Sequence, residues 1–153
     1  MAYWLFKTEP YAFSIDDLQQ APQQQTFWEG IRNYQARNFL RDNVQPGDLV
    51  FIYHSSCKVP AVVGIAEVVK GASPDPEQFN LHSDYYDGKA TPEQPRWFGV
   101  TLRYRQHLNT PVTLKAIKAN PELTELALKK GGRLSVMPIV ATEWQTIIAM
   151  SEH

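Results

Sequence analysis

The longest uninterrupted apolar runs in this chain are strand-sized, Leu49–Tyr53 being typical, and that limits what it can fold into. A membrane helix needs ~20 consecutive apolar residues, and no run here approaches that length. Short runs of bulky and β-branched residues between turn formers read as strands. Tyr3–Lys7, Leu49–His54, Val62–Val69, Trp97–Arg105 and the short Arg133–Val136 have this character, with Gly64 marking a bulge or a point of close packing. Helical signals lie between them. Ser14 and Asp17 have capping-box spacing for a short helix to about Gln20. Gly30 precedes a helix over roughly Ile31–Asn43, on which Asn33, Arg37 and Arg41 form one polar row. Thr113–Lys118 is helical. Asn120-Pro121 opens a further helix to about Lys130, stopped by Gly131-Gly132. Thr142-x-x-Gln145 is a capping box for a terminal helix through Met150. Ala21–Thr26 is a loop, and Gly71–Pro95 is a long irregular stretch of the kind that is usually functional or mobile. Strands and helices mix irregularly, without alternating βαβ units. The order predicts a single α+β domain over residues 1–153, with a curled, largely β centre and peripheral helices.

A chain of 153 residues can bury a real core, since a domain of that size hides roughly 68–70% of its unfolded surface. Its 43% apolar and 20% charged residues exclude disordered, collagen-like and low-complexity classes. The start lacks the basic region of a signal peptide. One cysteine, Cys57, excludes a disulfide within the chain and a Cys-rich zinc site. A reducing compartment, the cytoplasm or, in a eukaryote, the nucleus, is therefore expected. With 15 basic and 16 acidic residues and a pI near 6.4, the chain does not coat nucleic acid or membrane by bulk charge. Neutrality hides an asymmetry, however. Residues 103–133 carry seven Lys/Arg against two Glu, and residues 75–95 carry five Asp/Glu against one Lys.

No phosphate-binding glycine loop, dinucleotide fingerprint, zinc-protease motif or nucleophile elbow is present. His54 and Cys57 are spaced for a thiolate pair, but the plainer reading has His54 ending a strand and Cys57 in the following turn. His54, His82, His107 and His153 lack metal-ligand spacing, and Asp75, Asp84 and Asp87 read as solvated loop charges. No catalytic residue, metal or cofactor is assigned. The stronger signal is a set of polar–aromatic clusters at element ends. Trp28-Glu-Gly-Ile-Arg-Asn33 places a stacking ring and an amide beside a helix start, where free N–H groups can hold an anion. Asn can bond a base edge and Trp can stack on its face. Tyr53-His54-Ser55-Ser56 and Arg133-Leu134-Ser135 add hydroxyl, imidazole and guanidinium groups.

Taken together, Tyr3-Trp-Leu-Phe-Lys-Thr-Glu-Pro10, Trp28-Glu-Gly-Ile-Arg-Asn-Tyr-Gln-Ala-Arg-Asn38, Gly47-Asp-Leu-Val-Phe-Ile-Tyr-His-Ser55, Pro95-Arg-Trp97 and Arg133-Leu-Ser-Val136 resemble the EVE domain family, in order, over about residues 2–150. Without an added N-terminal tail, the chain resembles the stand-alone bacterial form. The resemblance implies a PUA-like fold, a small mixed β-barrel with helices around it, and kinship with YTH and ASCH domains. It implies a reader of modified bases in DNA or RNA, modified cytosine foremost, and no catalyst. On the family pattern, Lys7 and Thr8 end the strand that lines the pocket, Trp28 is the pocket ring, and Arg32 and Asn33 form a polar pair. Tyr53, His54 and Ser55 form a strand-end set, and Arg133, Leu134 and Ser135 lie near the rim. Ile31, Ile52 and Ser56 depart from the more usual Val, Phe and Asn.

The mechanism this implies takes one flipped or single-stranded nucleotide into the pocket. Trp28 stacks on it, Lys7-Thr8 backbone and Asn33 read its edge, and Tyr53 closes a wall. Arg32, Arg37, Arg41 and Arg133 hold flanking phosphates. The partner is modified DNA or RNA, with no membrane, and the monomer is the default state. Two alternatives stand beside this. One is a small amidohydrolase acting on an acylated nucleoside, as in ASCH relatives, with Lys7, Thr8 and Glu9 or Glu67. The other is an interaction module with no nucleic-acid role.

Overall fold

A computed structural model describes residues 1–152, and His153 lies outside them. The elements are β1 (Tyr3–Thr8), α1 (Ile15–Gln20), β2 (Gln25–Trp28), α2 (Tyr34–Asp42), β3 (Leu49–His54), β4 (Ala61–Pro74), β5 (Phe98–Thr113), α3 (Leu114–Ala119), β6 (Val136–Ile139) and α4 (Ala141–Ser151). Short 3-10 turns occupy Pro22–Gln24, Pro76–Phe79 and Ala127–Lys130. The strands form one mixed sheet in the order β2-β5-β4-β3-β1-β6. β1 and β3 pair in parallel. A parallel pair needs a long crossover, and α1, β2 and α2 supply it.

The bulky strands are buried on both faces, which is why they read as unbroken apolar runs. Trp4 and Phe6 of β1, with Val50 and Ile52 of β3, pack under Ile15 and Leu18 of α1 and Ala36 and Leu40 of α2. The intervening Leu5, Phe51 and Tyr53 face the other way, onto Ile117 of α3 and Trp144 and Ile147 of α4. The Phe51 and Trp144 rings stack at 3.7 Å.

The sheet is strongly curled. Four strand steps of ~4.8 Å would separate β1 from β2 by roughly 19 Å if it were flat. Yet the rings of Phe6 on β1 and Trp28 on β2 are 5.9 Å apart. Register shifts between β3 and β4, and at several points between β4 and β5, supply the bend. Gly64 lies at one of them, and a Cβ there would come within 2.7 Å of Ile15 and 2.8 Å of the Gln106 carbonyl. The sheet is thus the small, mixed, curled centre that the sequence leads one to expect, but its ladder does not close. β2 and β6 remain its edges.

Four expectations are corrected in detail. β2 occupies part of the expected 21–26 loop. α2 starts three residues late, at Tyr34, because Asn33 takes the N-cap and accepts from the Ala36 N–H at 2.9 Å. The helix expected over 120–130 is largely absent. There the buried Glu143 of α4 accepts from the Glu125 and Leu126 N–H groups, so those donors need no helix. α4 itself begins at Ala141 without a side-chain cap, which leaves Thr142 inside it.

Buried Asp48 ties the N-terminus to this frame. Its carboxylate accepts from the Ala2 N–H, the Trp4 indole N–H and the Gln45 N–H, each at 2.9 Å. Asp48→Ala leaves these donors without an acceptor and is expected to cost about 2–3 kcal/mol. Urea unfolding measures this as a lower midpoint at unchanged slope.

Candidate nucleic-acid interface

The open seam holds a cleft of about 580 Å³. β1 and β3 run parallel, so their C-terminal ends meet on one side of the sheet. Lys7 and Thr8 end β1 and Glu9 follows it, as Ser55 and Ser56 follow β3. Thr26, Phe27 and Trp28 of β2, with Glu29, Gly30 and Ile31, form the facing wall. Phe13, Tyr85 and the segment Gly132–Ser135 complete it. Adjacent Lys7 and Thr8 both reach the cleft because the strand ends there. Backbone bonds hold this end in place: the Lys7 N–H donates to the Ser135 carbonyl and the Ser55 N–H to the Thr8 carbonyl, both at 2.9 Å.

Trp28 is 7% exposed, gripped by Phe6 and, edge-on, by Phe13 at 6.0 Å. Among the described residues its indole N–H has no hydrogen-bond partner, and no side-chain donor there is both buried and unpaired. The N–H is therefore accessible, on a residue that lines the cleft. The Thr8 hydroxyl is already committed, donating to the Phe13 carbonyl at 2.7 Å. Lys7 is half-buried, and burial lowers the pKa of its ammonium. Partial desolvation, then the negative charges of Asp75 and Glu77, push the Glu29 carboxyl above the ordinary carboxylate value.

The long stretch after β4 is tied down by two fully buried polar side chains, Asp75 and Gln78. Asp75 accepts from the Gly30 and Glu77 N–H groups and pairs with Arg32 at 3.0 Å. Gln78 donates to the Asp75 and Trp97 carbonyls and accepts from the Arg96 and Trp97 N–H groups. Asp87 accepts from the Trp97 indole. Asp75 and Asp87 are thus structural acceptors, not the solvated charges expected from the sequence. The network carries Tyr85 to the rim, where it lies against Gly30. That glycine has φ +81°, and a Cβ there would come within 3.0 Å of the Tyr85 ring, so both its backbone and its neighbour exclude a side chain.

The structure brings Lys7, Thr8, Trp28, Ser55, Arg133 and Ser135 together at the cleft. The other expected residues lie elsewhere, each for a physical reason. Arg32 donates to Asp75 and to the Tyr85 carbonyl, so it braces the wall from behind. The Asn33 side-chain oxygen is spent on the α2 cap. Tyr53 is 3% exposed in the core on the α3–α4 face, too deep to close a wall. Leu134 packs against both core clusters. His54 Nε2 accepts from the Ile15 N–H at 3.1 Å and so fixes the start of α1. Arg37 donates to the Arg96 carbonyl and lies over the Tyr34 ring, which stacks on Trp97. Arg41 pairs with its neighbour Asp42. Missing from the sequence reading are Glu29, Tyr85 and Phe13. Glu29 was legible, as the residue after the pocket Trp. Tyr85 was not, because only the Asp75–Gln78 network puts it there. Among the described residues no cluster of His, Cys, Asp and Glu is placed to hold a metal, and no helix is long and apolar enough to cross a membrane.

Fold and site together define a small α+β domain whose curled mixed sheet leaves an aromatic, charged cleft at its seam. Comparison with known proteins gives that class a family. The model of the EVE domain matches residues 2–150, and the chain belongs to that family. Chicken thymocyte nuclear protein 1 is 37% identical over 168 aligned residues, spanning 99% of this chain and 69% of its own length. A Pseudomonas syringae protein of solved structure is 44% identical, covers 98% of this chain and 99% of its own, and superposes with a TM-score of 0.92. Human THYN1, solved in complex with 5-methylcytosine-containing DNA, is 33% identical, covers 100% and 99%, and has a TM-score of 0.96.

Two measurements test this geometry. Burial lowers the His54 pKa from its ordinary value near 6.5. The unfolded chain therefore takes up this proton first as pH falls. The His54 contribution to stability is complete above that value and shrinks below it, until the folded-state pKa is reached. Thermal melts of wild type and His54→Gln should diverge above pH 6.5 and converge below it. Gly30→Ala should displace Tyr85 and cost roughly 1–3 kcal/mol of backbone strain, read as a lower Tm and a shifted Tyr85 ring resonance.

Proposed function

We propose that this chain reads a modified base of DNA, a modified cytosine, by accepting one flipped nucleotide into the seam cleft. The observation that carries the proposal is the cleft itself. It is within the ~300–1,000 Å³ range of small-ligand sites, it is walled by Trp28 and Tyr85, and it contains charged groups that have no partner among the described residues. Stacking on an aromatic wall contributes roughly 1–3 kcal/mol per base, comparable to the few kcal/mol that unstacking from the duplex costs. The likeness to human THYN1, whose structure holds 5-methylcytosine DNA, supports the choice of ligand. One chain supplies every wall, so a monomer suffices. An acyl-transfer reading finds less support. The Thr8 hydroxyl donates its hydrogen bond to the Phe13 carbonyl, Glu9 is hydrogen-bonded by Tyr11, and Glu67, held by Arg103 and Arg105, does not line the cleft.

Fluorescence anisotropy with DNA and RNA oligonucleotides carrying one 5-methylcytosine or one cytosine, single- and double-stranded, tests this. Tighter binding to one modified strand is expected, weakened about tenfold or more in Trp28→Ala. Equal affinity for all strands, unchanged by Trp28→Ala, would overturn the proposal.

A further inference from the structure

An aromatic wall attracts any base, so what selects among bases must be polar. Three charged side chains lining the cleft have no hydrogen-bond or ion-pair partner among the described residues: Lys7, Glu29 and Arg133. Arg133 is exposed, on the segment before β6, where a phosphate would pass. Glu29 is exposed as well, whereas Lys7 is half-buried. Lys7 belongs to the end of β1, and Glu29 directly follows β2, so two separate parts of the cleft lining contribute one charge each. They are of opposite sign, yet they form no ion pair with each other.

A carboxylate only accepts hydrogen bonds and an ammonium only donates them. This pair therefore suits an edge that presents a donor at one end and acceptors at the other. Cytosine has that edge, with an amino donor at C4 and acceptors at N3 and O2. Thymine presents an acceptor where cytosine has its amino group, and a donor at N3, so it would set two acceptors face to face at Glu29. Adenine matches the amino donor and the adjacent ring nitrogen but has only a C–H where cytosine has O2. A substituent at C5 leaves this edge untouched, so base identity and modification are read by different parts of the cleft.

We propose that Glu29 and Lys7 set base identity, the Glu29 carboxylate accepting from an exocyclic amino group and the Lys7 ammonium donating to a ring carbonyl, which selects cytosine and its 5-substituted forms over thymine. The inference rests on the base-reading function proposed above.

The test uses single-stranded DNA with one central 5-methylcytosine or one thymine, bases that share the 5-methyl group and differ in this edge. Wild type, Glu29→Gln and Trp28→Ala are compared. Glu29 makes no bond within the described protein, so Glu29→Gln should melt with wild type, and Glu29→Asp serves as a second variant that keeps the charge. Wild type is expected to prefer 5-methylcytosine by roughly tenfold or more. Glu29→Gln, whose amide both donates and accepts, should reduce that preference to within about threefold, and Glu29→Asp should keep its direction. If Glu29→Gln keeps the full preference, the inference is overturned while base reading stands. If wild type binds both strands alike and Trp28→Ala weakens both, the edge is not read, and again only the inference falls. If Trp28→Ala changes nothing on either strand, base reading itself fails and this inference with it.

Discussion

The contact between Phe6 and Trp28 is the constraint on which the rest of the molecule depends. It joins two strands with three others between them, so it exists only if the sheet rolls through most of a barrel. Rolling requires the breaks in register along β4 and β5, and these require a glycine where α1 presses on the sheet. Once rolled, the sheet has two choices at its margins: to complete the ladder or to leave a gap. This chain leaves the gap, and β2 is too short at four residues to bridge it. The cleft is what remains of an unfinished closure.

A gap between two sheet edges would be a poor site without something to hold its shape. Buried Asp75 and Gln78 do this by satisfying backbone donors and acceptors of a segment that lacks regular structure. Polar side chains buried without partners cost several kcal/mol. Here each group has its partners, so the same groups lock the segment rather than weaken it. Arg32 belongs to this lock. Its charge is spent on Asp75 and on the Tyr85 carbonyl, and its side chain lies 5.2 Å from the Tyr85 ring centre. The wall of the cleft is therefore set by contacts remote in sequence.

That distance explains what could be read in advance. Strands buried on both faces were visible as apolar runs, and the Ser14–Asp17 capping box was visible because both of its bonds are local. The α+β class followed from the order of elements. Lys7 and Thr8 could be placed as the end of β1. Trp28, Arg133 and Ser135 are placed by the family pattern, since β2 does not read as a strand and Arg133–Val136 does, whereas β6 begins only at Val136. The failures share a cause. Residues 120–130 have a good helix start, but a carboxylate from α4 competes for their backbone donors. Asn33 carries base-reading chemistry in the sequence and cap chemistry in the fold. Arg37 and Arg41 look like a phosphate-binding row until their acceptors at Arg96 and Asp42 appear. A polar side chain advertises what it can bond, and only the fold decides which bond it makes.

The pairing of these arginines has a consequence for how such a domain would search DNA. Arg32, Arg41 and Arg96 each already pair with a carboxylate of the protein, and Arg37, which donates to a carbonyl, alone of these four keeps its charge unpaired. Affinity driven by displaced counterions scales with the number of phosphates a protein neutralises. A face with so few free cations would rest only briefly on ordinary duplex and slide poorly along it. It would spend most of its time in solution, and its residence on a strand would be set by capture of the base.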